Sequence, residues 1–231
     1  MGTRKRSVSG DEFTQLLISG VDLTGITVVD DVRLGNAVIE HPVSLDQVTF
    51  LAHVNFCNAT FRKAVDFSGS RFEVTLNLGG WWDGDHRMSS FWGDVKFGNA
   101  VFLMAVDCGA AIFHGNVDMG SVMIDGNLCL NEAQFHKGIH LRKATIGGLS
   151  SQSTRGEVAT FNGPFHCGSA TIKSLWFERV PTFNFDFFPD DATFGKLHGC
   201  MQILPYLVIL GARVTFGKYT SLNEWLEAQK S

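Results

Sequence analysis

Tyrosine is nearly missing from this chain: two residues, against twenty phenylalanines in 231 positions. A buried phenol needs a hydrogen-bond partner, so rings destined for a dry interior are better supplied as Phe. Charge of one sign is lacking too. Nineteen Lys and Arg against 23 Asp and Glu leave a net charge of −4, which excludes both a basic nucleic-acid binder and a strongly acidic polyanion. The five cysteines are odd in number and contain no C-x-x-C spacing, so no redox or metal pair is indicated. The longest apolar run, around residues 203–212, is too short to span a bilayer and contains Pro205. G-x-S-x-G, a Walker loop, a G-x-G-x-x-G after a strand and H-E-x-x-H are all absent. The expectation is a non-enzyme with no cofactor and no metal. Reduced thiols and the lack of a signal peptide add the expectation of a cytoplasmic location.

What is present is a repeat. From Val21 to Leu175 an 11-residue unit recurs, interrupted twice. Positions 1, 3 and 8 are apolar and position 6 is small or β-branched. V-D-L-T-G-I-T-V starts at Val21, V-N-F-C-N-A-T-F at Val54, V-D-F-S-G-S-R-F at Val65 and V-K-F-G-N-A-V-F at Val95. Period alone leaves open a right-handed helical coiled coil. Yet apolar residues two apart lie on opposite sides of a helix and on one face of a strand. Val, Phe and Ile, with Gly or Asn at positions 4, 5 and 10, also favour short strands and turns. The fold class is therefore an all-β solenoid.

Each unit supplies two short sides meeting at a corner. Two units make a four-sided coil of about 22 residues, and coils stack by parallel pairing at about 4.8 Å. Inward positions 3 and 8 nominate a core of Phe50, Phe56, Phe61, Phe67, Phe72, Phe91, Phe97, Phe102, Phe113 and Phe135. Cys108 and Cys167 hold the same inward position 3 and read as small core hydrophobes.

V-D-F-S-G at Val65, V-D-L-T-G at Val21, V-N-F-C-N at Val54 and A-T-F-R-K at Ala59 resemble the pentapeptide-repeat family. The resemblance covers roughly residues 20–178 and implies a right-handed quadrilateral β-helix. Every second side carries one residue more than the simple family pattern, which implies wider turns.

Three regions follow: a tail and capping helix at 1–19, the β-helix at 20–178, and a C-terminal cap at 179–231. Arg4, Lys5 and Arg6 read as a solvated tail. Ser9 to Glu12 has capping-box spacing before Phe13, Leu16 and Leu17, which predicts a helix over 10–18. A helix is also expected after Ser221 to Glu224. The aromatic stretch Phe183–Phe188 is either cap or homodimer contact, and residues 207–229 resemble the junction to a helical domain in longer family members.

The first interruption loops out Trp81, Trp82, Asp83, Gly84, Asp85, His86, Arg87 and Met88 between positions 5 and 6 of one unit. Trp and Arg on a loop thrown from a rigid scaffold are typical interface anchors. Trp81, Trp82, Asp83, Asp85, His86 and Arg87 are thus the candidate partner-binding residues. The second interruption, roughly 150–158, reads as a flexible Ser-rich loop. Tracing columns places His114 beside His136 at position 9, and Asp118, His140 and His166 at position 2. A flat face splays such side chains, so surface histidines without a metal are expected. The functional expectation is a scaffold for a protein partner, without direct nucleic-acid binding or a membrane span. The family resemblance implies an alternative, a DNA-mimicking inhibitor or protector of a type II topoisomerase such as gyrase. That alternative needs a strongly acidic face.

Overall fold

In the computed structural model, residues 6–80, 88–152, 158–177, 182–183, 187–188, 191–198 and 213–214 are described. The chain winds as a parallel β-solenoid of about seven turns with about 22 residues per turn, as the repeat predicts. Most strands are two residues long and form four ladders. Phe50, Phe72 and Phe102 stand in register on one side. Val54, Leu76 and Val106 stand on the next. Phe61, Phe91 and Phe113 occupy a third, and Val65, Val95 and Val117 the fourth. The faces carrying them are called here the first to fourth in that order.

The core is a bundle of ring stacks parallel to the coil axis. On the third face Phe61, Phe91, Phe113, Phe135 and Phe161 follow one another at 5.0 Å. On the first, Phe50, Phe72 and Phe102 are spaced at 4.6 Å, and Phe67 lies 4.8 Å from Phe97 on the fourth. The stacking distance equals the backbone pairing distance because each ring rides on its own rung. All ten nominated phenylalanines are buried, as are Cys108 and Cys167.

The turns explain the pattern at positions 2 to 6. The N–H of position 6 donates to the carbonyl of position 3, for example Ala59 to Phe56 at 3.0 Å and Ala100 to Phe97 at 2.8 Å. The residue before it takes a left-handed φ, as at Asn58 (63°), Asn99 (59°) and Lys143 (59°). That is the demand of a type II turn at its second central residue. A side chain such as Lys143 meets it at a cost of roughly 1 to 2 kcal/mol. The amide of position 4 is met by position 2: the Oδ1 of Asp66, Asp107 and Asp118 accepts from Ser68, Gly109 and Gly120 at 2.8–2.9 Å. Asn55 and Asn77 do the same at 2.8 Å. The outward Asp and Asn of the repeat are therefore turn-forming residues first.

At the N-terminus, helix α1 (Gly10–Ser19) begins at Ser9, whose Oγ accepts from the Glu12 N–H, and ends at the left-handed Gly20. Phe13 closes the first-face stack edge-on, 5.4 Å from Phe50 at 82°. Arg6 is exposed, as the reading of a solvated tail expects, but it is tied to the solenoid. Its carbonyl accepts from Thr27 at 2.9 Å, its guanidinium meets Glu12 at 2.6 Å, and Ser7–Val8 adds a strand beside Thr27–Val28. An open solenoid end exposes unpaired backbone, and this strand together with α1 covers it.

The later coils differ from the expectation in two ways. Met123–Cys129, Thr145–Ser151 and Thr171–Phe177 run as continuous strands through the corner between the first and second faces. Ser150 and Ser151 are accordingly strand residues, paired with Trp176 and Phe177, and not part of a loop. The ladders also continue past residue 178. Thr182–Phe183, Phe187–Phe188, Thr193–His198 and Arg213–Val214 each pair with the coil before. The expected helix after Ser221 and most of the aromatic cap lie outside the described residues.

Candidate functional site

The nominated loop residues Trp81, Trp82, Asp83, Asp85, His86 and Arg87 lie outside the described residues. The root of that loop does not. Ser90 and Phe91 resume the third-face ladder opposite Thr60 and Phe61, so the insertion leaves the register intact. Ser89, at position 6, is fully buried. Its Oγ lies 2.8 Å from the Gly79 carbonyl oxygen and 3.0 Å from that of Phe56. The hydroxyl thus closes a corner whose usual position-6 to position-3 backbone bond is interrupted by the inserted residues.

Three residues beyond Ser89, an outward column begins that sequence reasoning found only in part. Trp92 holds position 9 of its unit and is 49 % exposed. His114 stacks on one face of its indole at 4.1 Å and 17°. The guanidinium carbon of Arg62 lies over the ring at 5.3 Å. His136 continues the column 4.8 Å from His114, the neighbour relation the register predicts. Burial of the His114 imidazole, and then the neighbouring His136, lower its pKa below the usual histidine value. The register places Trp92 at position 9 above Arg62 once the eight inserted residues are set aside, but outward position 9 was traced only through its histidines, so the pair was missed.

On the fourth face, position 2 reads Ser44, Asp66, Lys96, Asp118, His140 and His166 along successive rungs. His140 and His166 stack at 4.7 Å and 8°. Asp94, Lys96, Asn116, Asp118, His140 and Arg142 line a shallow groove of about 350 Å³. Two of its acids are already engaged: Asp118 with the Gly120 amide and Asp94 with the Asn116 amide at 2.8 Å. Sign alternates along this face.

Neither histidine pair is arranged as a metal centre. Imidazole lone pairs lie in the ring plane, so near-parallel stacked rings direct them side by side rather than toward one point. Among the described residues no group of three or more His, Cys, Asp or Glu converges. On the second face, burial raises the pKa of Asp107, opposed by its bond from Gly109. Burial likewise pushes Cys108 well up, with Asp107 and Cys129 adding to it. Cys129 is raised by burial against a lowering bond from Ser150. Thiols so shifted are poor nucleophiles and fit a packing role.

No helix among the described residues is long and apolar enough to cross a membrane. Comparison with protein-family models, with curated proteins and with solved structures returns no match.

Proposed function

We propose that this chain is a non-catalytic protein-interaction scaffold of the pentapeptide-repeat type, presenting a rigid β-helical surface to a protein partner. The observation that carries the reading is the Arg62–Trp92–His114–His136 column. A half-exposed indole held between a guanidinium and an imidazole is an ordered, desolvation-ready anchor of the kind interfaces favour. The Trp81–Met88 insertion directly precedes Ser89 in the sequence, and Ser90 and Phe91 then resume the same face. Regular solenoid faces suit extended partners.

The reading as a DNA-mimicking ligand of a type II topoisomerase requires a continuous acidic stripe. Lys96 between Asp66 and Asp118, and Arg62 above Glu40, interrupt the columns where such a stripe would run. The test is a pull-down from native lysate with the intact chain and with a variant lacking Trp81 to Met88. The expected result is a partner retained by the first and lost from the second, while both melt cooperatively. A folded deletion variant with undiminished capture refutes the loop as the interface. Inhibition of gyrase by the intact chain would favour the mimic instead.

A further inference from the structure

We propose that the third face docks an acidic, extended segment of the partner protein, whose carboxylates bind along the Arg62–Trp92–His114–His136 column. This rests on the scaffold reading and names the chemistry of its partner. The chain as a whole carries a net charge of −4, yet this face departs from it. Lys63 and Lys137 follow Arg62 and His136 at the adjoining corner, both exposed. Among the described residues none of Arg62, Lys63 and Lys137 has an ion-pair partner. Among the described residues, the nearby acids are Glu40 at the foot of the column and Asp94, whose carboxylate is turned to the amides of Asn116. Glu40 also has no ion-pair partner, so three unpaired cations face one unpaired acid among the described residues.

Stacking decides which anion fits. Single-stranded nucleic acid binds such surfaces by laying bases on open aromatic faces. Both faces of Trp92 are taken, one by His114 and the other by Arg62. The edges of the rings remain, and indole and imidazole edges carry N–H donors. Carboxylates meet donors at an edge and need no free face. A guanidinium at the end of the row adds a planar fork suited to the same group. From Thr60–Phe61 to Gln134–Phe135 each strand of the face is paired on both sides within the solenoid, so the partner is recognised there through side chains and not by strand addition.

The test uses the intact chain and a short fluorescent oligo-glutamate peptide, with oligo-glutamine and oligo-deoxythymidine as the other arms. Anisotropy is read at low and high salt. Oligo-glutamate is expected to bind, more weakly at high salt, and oligo-glutamine is not. The double variant Arg62→Gln, Lys137→Gln should lose affinity roughly threefold to tenfold. Trp92→Phe should lose affinity as well, with Lys173→Gln on the first face as the unaffected control. Equal binding of the two peptides, or affinity untouched by the double variant while it melts as the parent does, overturns the proposal. Preference for the oligonucleotide, lost in the same variants, overturns it in favour of nucleic acid. A double variant that still retains the cellular partner removes this face and leaves the scaffold reading standing.

Discussion

Replacing Phe72 by Leu tests whether the core is a stack with nearest-neighbour energetics. Phe72 lies between Phe50 and Phe102 at 4.6 Å, with interplanar angles of 13° and 12°, and is wholly buried. Leucine keeps the site apolar and inward but removes a ring from two stacked pairs. Such pairs contribute roughly 0.5–1.5 kcal/mol each beyond burial. A residual void of roughly 25 Å³ adds about 0.6 kcal/mol. The expected loss is about 2 to 3 kcal/mol, read as a lower urea midpoint at unchanged slope. Phe13→Leu, with a single edge-on partner at 5.4 Å, should cost less. Double-mutant cycles sharpen the test. Phe50 and Phe72 should couple, whereas Phe50 and Phe102, two coils apart, should be additive within about 0.5 kcal/mol. Equal coupling in both pairs, or a Phe72→Leu loss below about 0.5 kcal/mol, would refute the stacked arrangement.

Ser89→Ala leaves the loop-root corner without its hydroxyl latch and should lower stability by about 1 to 3 kcal/mol in the same denaturation assay; a neutral result would mean the corner closes without it. A Cβ at Gly115 would sit 2.3 Å from the Gly93 carbonyl oxygen, so Gly115→Ala should cost about 1 to 3 kcal/mol through forced separation of two coils, and an unshifted melting curve would contradict that close approach. Asp107→Asn keeps the acceptor for the Gly109 amide, as Asn77 does one coil below, and removes a buried charge. Since burial raises the folded pKa of Asp107 above the usual 3.8, ionisation opposes folding: the penalty is absent below that value, grows as pH rises through the raised pKa, and is complete at neutral pH. The variant should therefore melt higher than the parent at pH 7, with the difference closing at strongly acid pH; a lower melting temperature at pH 7 would refute it.

The interior was legible because burial acts on residue type at a fixed period. Positions 3 and 8 must be apolar and position 6 small, so Phe61, Phe91 and Phe113 declare their column even across an eight-residue insertion. The ends were harder to read. Ser7–Val8 pairs with Thr27–Val28 through backbone alone, and two residues leave no period. The last coils were obscured by Pro181, Pro189 and the crowded phenylalanines from 183 to 188. Even so, Ala192, Thr193 and Phe194 repeat the Ala59-Thr60-Phe61 triplet. Ser150 and Ser151 were misread because serine usually marks loops, whereas here Ser150 is paired by strands on both sides and Ser151 by the strand that follows.

The exterior obeys a different rule, and that rule locates the functional information. Much of the outward polarity has a folding cause. Asp66, Asn77, Asp107 and Asp118 each supply the oxygen that meets a turn amide, and any solenoid of this kind would select them. Asp94 is likewise occupied, two rungs of corner backbone being joined through its carboxylate. Residues chosen for turn chemistry say nothing about a partner. Among the residues that remain after they are set aside are Arg62, Lys63, Trp92, His114, His136 and Lys137 on the third face and its corner, and Lys96 and His140 on the fourth. None of these side chains meets a turn amide, and the half-exposed Trp92 is held between Arg62 and His114. The departures from the repeat, rather than the repeat itself, therefore carry what is particular to this chain. On the proposed reading, the docking surface lies where Arg62, Trp92, His114 and His136 stand together on the third face.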